Sequence, residues 1–176
     1  MRELATAERV REFMRRLGRA APQSLVVFFT GGASAVLIGW RDTTVDIDLR
    51  LEPEDDDLLR ALVRLKTDLD LNIELASPAD FIPPLPGWRD RSRFITQEGL
   101  LAFFHYDFYA QALAKIERGH AKDIADVREM LERGLIEPTE LRRLFLAIAG
   151  GLFRYPAIDA EDFHQRVERF LESANP

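Results

Sequence analysis

The sequence predicts an α/β (α+β) fold: a small mixed sheet with flanking helices, followed by a helical C-terminal half. Three observations carry this. Short β-rich apolar runs are interleaved with helical spacing in the first hundred residues. Residues 43–51 and 69–75 alternate apolar and polar side chains, the period of a half-buried strand. From Asp107 onward only helical periodicity remains. The expected organisation is an α/β core over residues 1–106 and a helical region over 107–176.

Val10, Phe13, Met14 and Leu17 recur at helical spacing, and Gly18 reads as the stop. Leu25 to Phe29 is wholly apolar and bounded by Pro22 and by Gly31-Gly32, which suits a buried strand. Ala33 to Ile38 suits a short helix. Over Thr43–Leu51, Ile47, Leu49 and Leu51 face one way, while Asp46, Asp48 and Arg50 face the other. Asp55, Asp56 and Asp57 mark a helix start, where the macrodipole favours negative charge, and Leu58, Leu62 and Leu65 form its buried stripe. In the next alternation Leu69, Leu71, Ile73 and Leu75 point inward, and Asp70, Asn72 and Glu74 outward.

A proline-rich loop follows, ending in "WRDRSR", and one or two further strands fit before Tyr106. Tyr109, Ala112, Leu113 and Ile116 then make one helical face. Gly119 interrupts before a second helix carrying Ile124, Val127 and Leu131. Pro138 opens a third, and Phe163, Val167, Phe170 and Leu171 mark a last one.

The chain of 176 residues is 47% hydrophobic and 31% charged, a globular composition with room for a sizeable core. Its net charge of -6 gives no general attraction for nucleic acid, so any such contact needs a local basic patch. The absence of cysteine excludes disulfides and thiolate metal sites. No apolar run approaches a membrane span, and the acidic residues Glu3, Glu8 and Glu12 argue against a transit peptide. A cytoplasmic protein without membrane contact is expected.

The chemistry concentrates in "FTGGASAVLIGWRDTTVDIDL". Asp46 and Asp48 lie two residues apart on one strand face, where like charges repel unless compensated. If the next strand is a neighbour, Glu74 brings a third carboxylate, with Asp70 the other candidate on that face. Oxygen ligands of this kind suit a hard cation, Mg²⁺ or Mn²⁺, shared with substrate phosphates. Glycines at 31 and 32 let backbone approach a phosphate, and the helix start behind them offers N–H groups, with Ser34 adding a hydroxyl. Asp107, Gln111 and Lys115 share one polar helix face.

These residues resemble the DNA polymerase beta-type nucleotidyltransferase superfamily, whose pattern is a Gly-Gly turn, a short helix, an Asp-x-Asp strand and a later carboxylate. Within it the chain is most similar to abortive-infection and minimal nucleotidyltransferase toxins and related uncharacterised bacterial proteins. Thr44 matches their threonine before the aspartate pair, and Lys115 with "KDIAD" (Lys122 to Asp126) matches a helical lysine and a basic-Asp-x-x-Asp element. The chain departs in having Asp42 where the toxins place arginine, with Arg41 one position earlier.

The resemblance implies Asp46 and Asp48 as metal ligands, Glu74 as activator of an acceptor hydroxyl, and Lys115 as a phosphate contact. It implies a nucleoside triphosphate substrate, an RNA 3′ end or a protein as acceptor, and an antitoxin as partner of a toxin. Asp123 and Asp126 would orient Lys115 or Arg118. The competing class is a catalytically silent protein of the same fold that binds a nucleotide or a partner.

Each feature also has a plainer reading: a solvated sheet face for Asp46 and Asp48, an ordinary tight turn for the glycines, a solvated helix lysine for Lys115. "WRDRSR" reads either as a base-stacking, phosphate-gripping loop or as an exposed basic loop. His105, His120 and His164 lack metal-ligand spacing.

Overall fold

The computed structural model describes residues 3–174. The chain divides into two compact units: residues up to Ser77 together with Ser92–Tyr106, and Pro78–Arg91 together with the chain from Asp107 onward. Among the described residues no helix is long and apolar enough to cross a membrane.

The first unit is an α+β sandwich of a sheet and its helices. Its elements are β1 (Ala5–Thr6), α1 (Ala7–Ala20), β2 (Leu25–Thr30), α2 (Gly31–Ile38), β3 (Thr43–Thr44), β4 (Asp46–Glu52), α3 (Asp56–Asp68), β5 (Asn72–Leu75), β6 (Arg93–Glu98) and β7 (Leu101–His105). Five strands form the main sheet in the order β5-β4-β2-β7-β6, while β1 and β3 make a separate two-stranded pair. The sheet is mixed: β4 runs antiparallel to β2 but parallel to β5, and β2 is parallel to β7.

One face of this sheet is the core. Ile47, Leu49 and Leu51 from β4 and Val27, Phe29 and Phe103 from β2 and β7 meet Val10, Phe13 and Leu17 of α1 and Leu58, Leu62 and Leu65 of α3. The strict alternation of β4 (apolar residues buried, Asp46, Asp48 and Arg50 half-buried) follows from covering a single face. The start of α3 uses Asp55 as its cap, the carboxylate accepting from the Leu58 N–H at 2.8 Å, which holds its pKa below the usual carboxylate value.

Some local expectations change. Gly18 does not end α1, which continues to Ala20; glycine is needed there because a Cβ would lie 2.4 Å from the Glu98 carbonyl oxygen. The strand expected over 43–51 is divided between β3 and β4. The alternation over 69–75 becomes a strand only at Asn72, because Asp70 turns the chain with φ +48°. Leu75, expected inward, is exposed on edge strand β5.

The second unit is helical: α4 (Trp88–Arg91), α5 (Phe108–Arg118), α6 (Ala121–Glu132), α7 (Pro138–Ala149) and α8 (Ala160–Ala174), with short 3-10 turns at Pro78–Asp80 and Leu152–Arg154. Buried Ile116, Val127, Leu144, Phe145, Phe163 and Phe170 come from the apolar stripes the spacing indicated. Within "WRDRSR", Trp88 is buried with the Arg89 guanidinium 4.4 Å over its ring, and Arg91 binds Asp107. That tryptophan is a packed residue of the second unit, not an open stacking surface.

Candidate active site

The site is assembled on the sheet face opposite the core. In the parallel ladder Asp46 stands opposite Asn72, and Asp48 opposite Glu74. In the antiparallel ladder Asp48 also stands opposite Thr30, the last residue of β2. Glu74, Asp48 and Thr30 therefore form one row across three strands, about 5 Å from strand to strand. Asp46 lies one step along β4, on the same face.

Beyond Thr30 the chain enters α2 at once. Gly31 has φ +58°, and a Cβ on it would lie 3.0 Å from Asp48 Oδ2, so glycine both permits the turn and leaves room for the carboxylate. Gly32 is tighter still: its Cβ would meet Thr44 Oγ1 at 1.8 Å. Thr44 in turn donates to the Asp46 carbonyl at 3.1 Å. The helix start, Thr44 and the first residue of β4 are thus one packed joint. Thr30 caps α2 without a side-chain hydrogen bond, and a helix start presents N–H groups lacking intrahelical acceptors.

Asn72 answers part of the charge problem on this face. Its amide nitrogen donates to Asp46 Oδ1 and, at 3.1 Å, to Glu74 Oε1. One neutral side chain thereby bridges two carboxylates with its two amide hydrogens. Of the two candidates for the third carboxylate, Glu74 lies on the ladder, whereas Asp70 sits in the turn and accepts from the Glu3 N–H. Asn72 was visible in the alternation only as another outward polar residue; its position opposite Asp46 depends on the strand pairing.

Ser34, expected to offer a hydroxyl to the ligand, is turned into the core instead. It is fully buried, donates to the Phe29 carbonyl at 3.2 Å and lies 3.0 Å from His105 Nδ1. The hydroxyl's one hydrogen goes to Phe29, which assigns Nδ1–H of His105 as donor to Ser34 Oγ. Burial first, and the charge of Arg93 second, bring the His105 pKa down to about 4. Ser34 and His105 tie α2 to β7 beneath the site.

In the second unit Lys115 is not a solvated lysine. Its side chain is 7% exposed, and its ammonium binds Asp126 at 2.7 Å and Asp123 at 3.2 Å; Arg118 shares Asp123 at 2.8 Å. The polar face of α5 is likewise buried: Asp107 caps the helix through the Tyr109 N–H and is gripped by Arg91 at 2.7 Å. Burial raises the Asp107 carboxyl pKa against the pull of that guanidinium.

Among the described residues no group of three or more His, Asp or Glu forms a metal cage by itself. The donors on the sheet face are oxygen only, and Asp46 keeps Oδ2 clear of hydrogen bonds from the described residues. Such a set fits a hard divalent ion that takes its remaining ligands from phosphate and water. No curated protein and no solved structure matches the chain significantly. The profile of a family described as nucleotidyltransferase of unknown function (DUF6036) matches residues 5–170. With that match covering nearly its whole length, from β1 into α8, the chain belongs to this nucleotidyltransferase family.

Proposed function

We propose that the chain is a Mg²⁺-dependent nucleotidyltransferase, moving a nucleoside monophosphate from a nucleoside triphosphate to an acceptor hydroxyl on an RNA 3′ end or a protein. One observation supports this above the others: Asp48 stands in register between Glu74 and Thr30, with the Gly31 turn against its carboxylate. Asp46 and Asp48 would hold Mg²⁺ or Mn²⁺, which supplies charge neutralisation for the triphosphate.

The chain's own groups account for the rest. The Gly31-Gly32 helix start receives phosphate oxygens on backbone N–H groups. Glu74, exposed at the edge of the row, takes the proton from the acceptor hydroxyl. The acceptor oxygen then forms a bond to the α-phosphorus as the bond to pyrophosphate breaks. Thr44 holds the backbone of Asp46, and Asn72 positions the carboxylates of Asp46 and Glu74.

Incorporation of label from each of the four ribonucleoside triphosphates into total RNA and cell lysate tests this, with the Asp46→Ala, Asp48→Ala variant alongside. Label that falls about 10²-fold or more in the variant supports transfer, and the labelled species names the acceptor. Growth arrest on induction that depends on Asp46 and Asp48 would support a toxin role.

A second reading draws on Asn72. Because its amide already bridges Asp46 and Glu74, the same face suits a nucleotide- or partner-binding module without turnover. Folded protein that binds nucleotide yet transfers no label to any acceptor would favour that reading.

A further inference from the structure

Within the helical unit, α5, α6 and α8 enclose a cleft of about 500 Å³. Four arginines line it, Arg118, Arg128, Arg166 and Arg169, against a single carboxylate, Asp162. On a chain of net charge -6 this is a marked local reversal of sign. Ile116, Ile124 and Phe170 supply an apolar floor.

The arginines divide into two pairs. Arg166 is fixed in place: it binds Asp162 at 2.6 Å and the Glu117 carbonyl at 2.5 Å. Gly119 makes that placement possible, since a Cβ there would lie 2.5 Å from Arg166 Nη1. Arg118 is held by Asp123, the carboxylate it shares with Lys115. Arg128 and Arg169 are exposed and have no hydrogen bond or ion pair to any described residue. Two anchored guanidiniums and two uncommitted ones around one concavity suit a ligand with several anionic oxygens.

The size and surroundings favour a small molecule. A volume of this order is that of an ordinary small-ligand site. The adjoining surface groove shares Ile124 and Arg128 but continues over Glu129 and Glu132. Carboxylates there repel the second and later phosphates of a polymer, whose binding needs a continuous basic track. We propose that this cleft binds a free organic phosphate of mononucleotide size, with its phosphoryl oxygens on Arg128, Arg166 and Arg169 and its organic part against Phe170 and Ile124. This site is separate from the transferase reading and does not depend on it.

Calorimetric titration of the intact chain with ADP and with GDP, in EDTA, tests the proposal. Saturable one-to-one binding is expected, weakened at least tenfold by Arg128→Glu with Arg169→Glu and changed less than twofold by Asp46→Ala with Asp48→Ala. Both arginines are exposed, so the charge reversal should leave the thermal unfolding midpoint unchanged, and Arg128→Lys with Arg169→Lys should retain partial binding. Inorganic pyrophosphate, adenosine and a short oligoadenylate serve as further arms, each expected to bind at least tenfold more weakly than the diphosphates. Absence of saturable binding, or binding indifferent to the arginine reversal, overturns the proposal. So does binding lost with the aspartate pair, pyrophosphate equal to the nucleotides, or the oligomer binding tighter than they do. Failure of label transfer would leave these results standing, so the two readings fail separately.

Discussion

Thr44 Oγ1 occupies the space a side chain on Gly32 would need, 1.8 Å from where its Cβ would be. Thr44 is itself buried and donates to the Asp46 carbonyl, so the first turn of α2 rests on the residue leading into the aspartate strand. Gly32→Ala is therefore expected to destabilise the fold by about 1–3 kcal/mol, the ordinary cost of overpacking. Thr44→Ala in the same chain should recover part of the loss; the threonine Cβ, at 2.7 Å, prevents full recovery. Urea unfolding of both single variants and the double closes the cycle. Strictly additive losses would show that the two residues do not press on one another.

Asn72 separates two carboxylates by giving a hydrogen to each. Asn72→Asp removes both donors and adds a fourth carboxylate to the face that carries Asp46, Asp48 and Glu74. The expected cost is about 1 kcal/mol at low salt, shrinking as salt screens the repulsion. Unfolding midpoints in low and high salt measure it. A loss that ignores ionic strength would assign the effect to packing instead of charge.

The alternation of β4 was legible because one face of the strand meets the core and the other does not, which prints a period of two onto Asp46 through Glu52. It put Asp46, Asp48, Asn72 and Glu74 on the outward side before any pairing was known. The register was not legible: nothing in residues 69–75 says that Glu74 stops opposite Asp48, because β4 and β5 are parallel strands joined through α3. Ser34 was misplaced for a related reason. Five consecutive residues of α2, Gly32 to Val36, are buried, so the helix has no periodic stripe to tell a ligand-facing hydroxyl from a core one. The arginine cleft was hidden because its members come from three helices, and no spacing within one helix brings them together.

Lys115 neutralises two carboxylates that are themselves nearly inaccessible, Asp123 and Asp126. Lys115→Met would leave Asp126 without its lysine and Asp123 with Arg118 alone. A loss of about 3–5 kcal/mol is expected, the range for removing one partner of a buried ion pair. Adding Asp126→Leu should restore much of it, because the stranded charge goes as well. Urea unfolding of the single and double variants decides the matter. A single-variant loss below about 1 kcal/mol would put these groups in the class of solvent-screened pairs.

His105 makes the acid limb of stability testable. Its native pKa is lowered from 6.5 to about 4, with burial the larger cause and Arg93 the smaller. Between those values the unfolded chain holds a proton on this imidazole that the native chain does not. The stabilisation is thus fully present above pH 6.5 and is lost as pH falls toward 4. Its size is on the order of 3 kcal/mol. Asp107 acts in the opposite sense: its raised carboxyl pKa means the native state binds that proton more tightly, so its contribution is present at low pH and is lost as pH rises through the folded value. Comparison with His105→Gln separates the two, since the variant keeps Asp107 and can still hydrogen-bond Ser34. Its stability should fall less steeply than that of the native chain from pH 6.5 to 4. Parallel limbs in the two proteins would mean that the imidazole is not the group taking up the proton.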